Sequence, residues 1–129
     1  MNEERERREE RVYTVEEADA ALPDLRERLD RIRTARQELL RASEVIRDRV
    51  ATDGGGHDGR EYWSALQSLR ADIEDLSGRD IILRDPQTGL VDFPAERDGQ
   101  RVFLCWRLGE DRVTHWHDIE TGFSGRRPL

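Results

Sequence analysis

Residues 22–50 read LPDLRERLDRIRTARQELLRASEVIRDRV, and the spacing of their apolar positions decides the architecture. Leu22, Leu25, Leu29, Ile32, Arg36, Leu39, Ser43, Ile46 and Val50 recur at alternating intervals of three and four, as a helix with one buried seam requires. Arg36 and Ser43 interrupt that seam and mark where it meets solvent or a polar partner surface. Asp24–Arg28 and Glu27–Arg31 sit one helical turn apart and support the outer faces.

Upstream, Thr14-Val15-Glu16-Glu17 forms a capping box, with hydroxyl and carboxylate each accepting from the other residue's backbone N–H. A helix is expected to start there. Pro23 lacks the N–H that would bond four residues back, so a kink, or a short helix followed by a long one, is expected. Residues 2–11, NEERERREER, contain no apolar side chain, and residues 1–12 read as a flexible charged tail.

Downstream, GGGHDG (54–59) breaks the helix, and Asp58-Gly59-Arg60-Glu61 offers a second cap. Trp63, Leu66, Leu69, Ile73 and Leu76 then trace the stripe of a second helix, with Gly78 suited to a left-handed C-terminal position. The two helices form an antiparallel hairpin. Segments 23–51 and 60–77 would span roughly 43 Å and 27 Å at about 1.5 Å per residue, so the longer overhangs the shorter.

After Gly78 the period changes. Asp80–Arg84, Leu90–Phe93, Arg101–Leu108 and Val113–His117 read as strands, separated by a Pro-Gln-Thr-Gly turn, an Asp98-Gly99 hairpin and a short loop at Gly109–Asp111. Pro94 ends its strand or places it on an edge. Val102–Trp106 is apolar without alternation, as in a central strand covered on both faces. The expected fold is α+β: a long antiparallel helical hairpin (13–78) packed on a small antiparallel meander of about four strands with a C-terminal tail (79–129), in a single domain, 13–129.

Bulk composition narrows the function classes. Hydrophobic residues make up 35% and charged residues 40% of the 129, a thin core for one chain. A homodimer that shares burial is the expectation, and with it a protein-interaction module serving another protein partner. The net charge of −7 argues against nucleic acid and against anionic membranes. One cysteine excludes an internal disulfide framework, and no apolar run is long enough to span a bilayer. A cytoplasmic location follows as the default. Lysine is absent, so all 22 cations are arginine.

The order of segments YTVEEADAALPDL, DPQTGLVDFPAERDG, VFLCWRLGE and HWHDIETGFSGRRPL resembles an uncharacterised prokaryotic family catalogued as domain of unknown function 2203. The resemblance runs from Tyr13 to Leu129. It implies an intact domain and carries no reaction or substrate with it.

The residues that could carry chemistry lie in the last third. His115 and His117, two apart on a strand, point to one face about 6.5–7 Å apart and could share a divalent transition metal. Further ligands would come from Cys105, Asp118, Glu120 or Asp92. If Leu108 opposes Arg112, Cys105 faces His115; if Leu108 opposes Val113, Cys105 faces Trp116 and the set dissolves. Trp106 and Trp116 either stack on a ligand ring or fill the interface between sheet and helices. Arg107 and Arg126, with Arg127, either form an anion pocket or pair with the excess of carboxylates. The alternative to the interaction module is therefore a small metal- or ligand-binding protein built on His115, His117, Cys105 and Asp118. No nucleotide loop, nucleophile elbow or zinc-protease signature points to an enzyme.

Overall fold

The computed structural model describes residues 9–53 and 59–129, with backbone only for residue 46 and residues 49–53. Residues 54–58 of the loop expected at 54–59, the cap expected at Asp58 and the first eight tail residues lie outside them. Two helices, α1 (Val15–Asp53) and α2 (Arg60–Gly78), precede an antiparallel sheet of β1 (Ile82–Asp85), β2 (Leu90–Arg97), β3 (Gln100–Arg107), β4 (His115–Asp118) and β5 (Arg127–Pro128). The strands lie in sequence order across the sheet. The α+β architecture is as expected, with five strands where about four were anticipated.

The capping box forms as read. The Thr14 N–H donates to Glu17 Oε1 at 3.0 Å, and the Glu17 N–H donates to Thr14 Oγ1 at 3.1 Å. Those bonds hold the exposed Glu17 carboxyl below its ordinary value. α1 then continues through Pro23 as one helix of 39 residues, so the division into a short and a long helix does not occur. Its seam residues Leu22, Leu25, Leu29 and Ile32 are buried. They share a core with Val91, Phe93, Val102, Leu104 and Trp106 of the sheet and Leu76 of α2. Asp72 of α2 ties the hairpin together by accepting from Arg28 at 2.8 Å and from Arg31 at 3.0 and 2.9 Å. The overhang of α1 lies at its start, where the sheet receives it: Asp19 Oδ1 accepts the Val113 N–H at 2.8 Å.

The turn expectations meet three different outcomes. Gly78 ends α2 without a positive φ; the left-handed residue is Asp80, at φ 59°. Pro94 does not end β2, which runs on to Arg97; of the two readings, the edge position is the one present. The reason is directional: β1 pairs only as far as Asp92, and the Pro94 carbonyl on that side accepts the Tyr13 N–H at 2.7 Å. A residue's N and O point to the same side of a strand, so the missing N–H of Pro94 faces away from β3 and costs no ladder bond. The Asp98-Gly99 hairpin forms as expected, with φ 53° and 78° at its two central residues. The tail supplies the extra strand, β5, which pairs His115 with Pro128 and Trp116 with Arg127. Among the described residues no helix is long and apolar enough to cross a membrane.

Candidate metal centre

Strand register places the reactive side chains. β2 and β3 pair Asp92 with Cys105, and β3 and β4 pair Cys105 with His115 and Phe103 with His117. Directly opposed residues share a face, so Asp92, Cys105, His115 and His117 all lie on the side of the sheet away from the helices. Of the two registers open in the sequence, the one that sets Cys105 opposite His115 is present.

Register alone does not make the site. The side chains that converge are Asp92, Cys105 and His117, whose ligating atoms lie within 4.8 Å of one another, all three buried. His117 reaches Cys105 diagonally across the strands. His115 stays outside the cluster, half-buried, with Nδ1 2.9 Å from Thr114 Oγ1. Asp118 alternates to the opposite face and pairs with Arg127 at 3.7 Å. Only its backbone joins the site: the Asp118 carbonyl lies 2.7 Å from His117 Nδ1.

That contact fixes the imidazole chemistry. A carbonyl can only accept, so Nδ1 carries the hydrogen and Nε2 of the neutral ring presents a lone pair. Nε2 lies 3.0 Å from Asp92 Oδ1, with the two side chains 2% and 3% exposed. The pair is within ion-pair distance but outside hydrogen-bond geometry, and Oδ1 has no hydrogen-bond partner although it is buried. With the ring neutral, two acceptors so close and so dry repel each other, and a cation shared by both relieves that repulsion. A proton on Nε2 would not point at Oδ1. A metal ion off the N···O line would satisfy both, and a separation of 3.0 Å suits two ligands each about 2 Å from one ion.

The surroundings complete the pattern. Arg84 Nε donates to the other carboxylate oxygen, Asp92 Oδ2, at 2.8 Å, and orients it. Histidines that bind metals commonly donate their second ring N–H to a carbonyl, as His117 does. Burial pushes the Cys105 thiol up to about 11, against the opposing pull of a hydrogen bond from Arg126. A cleft of about 290 Å³ opens beside the centre, with Asp92 and His117 at its buried floor. Its sides carry Arg84, Leu90, Ile119, Glu120 and Phe123.

The other residues singled out from sequence are dispersed. Trp106 is fully buried and donates its indole N–H to the Glu110 carbonyl at 3.0 Å; it is core, not a stacking platform. Trp116 packs on the helical side, flanked by the guanidinium groups of Arg97 and Arg127. Arg126 binds Glu110 at 3.0 Å, and both it and Arg107 stack on Phe123. They form no shared anion pocket with Arg127. Asp92, named only as a neighbour in the sequence, is the member of the cluster that the preferred set lacked. The Asp98-Gly99 turn could have supplied it, since pairing Arg97 with Gln100 and counting back sets Asp92 against Cys105.

A five-stranded antiparallel sheet with a helical hairpin on one face and a Cys-His-Asp cluster on the other defines a small α+β protein with a candidate metal centre. Residues 11–129 match the family of uncharacterized conserved proteins known as DUF2203, and the chain belongs to that family. No curated protein and no solved structure matches it.

Proposed function

We propose that this chain is a metal-binding protein that holds one divalent transition metal on Asp92 Oδ1, Cys105 Sγ and His117 Nε2. The observation that carries the reading is the buried Asp92 Oδ1, which has no hydrogen-bond partner and lies 3.0 Å from His117 Nε2. Thiolate and imidazole select transition metals over magnesium or calcium, and zinc suits a mixed sulfur, nitrogen and oxygen set. A free thiol ligand needs a reducing compartment, which fits the cytoplasm.

The test is metal analysis of untagged protein never exposed to chelator. One equivalent of zinc or a similar ion, lost on Cys105→Ser or His117→Gln, is expected. Protein that holds no metal and gains no thermal stability from added zinc, cobalt or nickel would overturn the reading.

A second reading, self-association, is supported by Leu40, Val45 and Trp63, which are exposed on the helical hairpin. Burying them in a dimer would supplement the thin core of one chain. Sedimentation at micromolar concentration should give the mass of two chains; the mass of one would refute it.

A further inference from the structure

We infer that the cleft beside Asp92 and His117 receives a small organic monoanion, whose carboxylate completes the metal's coordination while its apolar body lies against Ile119 and Phe123. The inference rests on the metal reading above. Three protein ligands leave a tetrahedral ion one further position, and sites with that arrangement accept water or an exogenous ligand there. Both Asp92 and His117 border the cleft, so the coordination sphere is accessible from it.

Charge selects the ligand. An Asp92 carboxylate and a Cys105 thiolate neutralise a divalent ion between them. Arg84, 2.8 Å from Asp92 Oδ2, then adds a positive charge at the cleft wall. Glu120 adds a negative charge at the exposed rim, and Arg107 brings a positive one to the Phe123 wall, its guanidinium 5.4 Å from the ring centre. The balance favours one negative charge on the entering group.

Shape selects the rest of it. Ile119 and Phe123 are 56% and 37% exposed, large apolar side chains in water at the mouth of a polar site. Arg126 and Arg107 both stack on Phe123 and hold its ring in place. A cleft of about 290 Å³ admits a single small ring but not an extended chain.

The experiment uses full-length, untagged protein loaded with cobalt(II), whose visible spectrum reports the coordination sphere. Benzoate, acetate and neutral benzamide serve as probes. Benzoate should shift the cobalt spectrum saturably, acetate should bind about tenfold more weakly, and benzamide should leave the spectrum unchanged. Phe123→Ala should take up cobalt normally and bring benzoate affinity close to that of acetate. Ile119→Ala gives a second, independent truncation of the same wall. A cobalt spectrum with thiolate character that no anion perturbs would overturn this inference and leave metal binding intact. Equal affinity for benzoate and acetate would refute the apolar wall. Failure to take up cobalt at all would remove both readings.

Discussion

Asp92 and Cys105 stand directly opposite each other across β2 and β3, so two of the three proposed ligands are set by backbone pairing rather than by loops. Replacing a ligand should therefore disturb metal binding more than folding. Asp92→Asn is the most telling variant, because its amide could donate to the His117 lone pair. Without metal it should melt no lower than the parent protein, and the metal-induced rise in melting temperature should vanish. Marked destabilisation of the metal-free variant would show Asp92 and His117 to be an ordinary ion pair.

Metal uptake should release a proton. Burial pushes the Cys105 thiol up to about 11, so at neutral pH the metal-free protein carries S–H and binding must displace the hydrogen. Apparent affinity should tighten by about tenfold per pH unit for one proton released. Calorimetry in buffers of different ionisation enthalpy counts the protons, and Cys105→Ser should release one fewer. In metal-free protein the sign runs the other way for stability. The raised value favours the folded state below the ordinary thiol value of 9.0, and that contribution is lost as pH rises through about 11.

Acid should loosen the helical hairpin at Asp72. Its carboxyl is held below the ordinary value, first by the hydrogen bond from Arg31 and further by Arg28. A depressed carboxyl stabilises the fold above its unfolded value of 3.8 and loses that contribution as pH falls through the folded one. Because both arginines are partly exposed, Asp72→Ala should cost about 1–3 kcal/mol at neutral pH. Urea unfolding at pH 7 and pH 3 should show the variant's deficit shrinking in acid.

Glycine at position 89 answers two demands at once. Its φ is 72°, and a β-carbon there would lie 2.6 Å from Leu108 Cβ. Gly99, at φ 78°, has open space around the same position. Gly99→Ala should cost about 1–2 kcal/mol for backbone conformation alone. Gly89→Ala should cost about 1–3 kcal/mol more for the clash. Equal losses in thermal unfolding would contradict the packing of Leu108 against the turn.

The helices were legible because their signals are local: the seam from Leu22 to Ile32, and the reciprocal cap of Thr14 and Glu17. The Asp98-Gly99 hairpin was legible for the same reason. β5 was not, because Arg127 and Pro128 have no period and become a strand only through pairing with β4. At the site, residue type pointed to Cys105 and His117, but strand spacing favoured His115 and proximity favoured Asp118. The diagonal approach of His117 to Cys105 is a matter of side-chain direction across strands, which spacing along one strand does not carry. Asp92 lies 25 residues before His117 in the chain, and only the pairing of β2 with β3 and of β3 with β4 joins them.

Past Asp92, β2 outruns β1, and an uncovered margin of that kind is where foreign chains add on and aggregates seed. Here the margin gives a newcomer little to grip: the ring of Pro94 offers no hydrogen, and Tyr13 already occupies its oxygen. The residue that looked like an obstacle to the strand thus doubles as a guard against fibril growth along its flank.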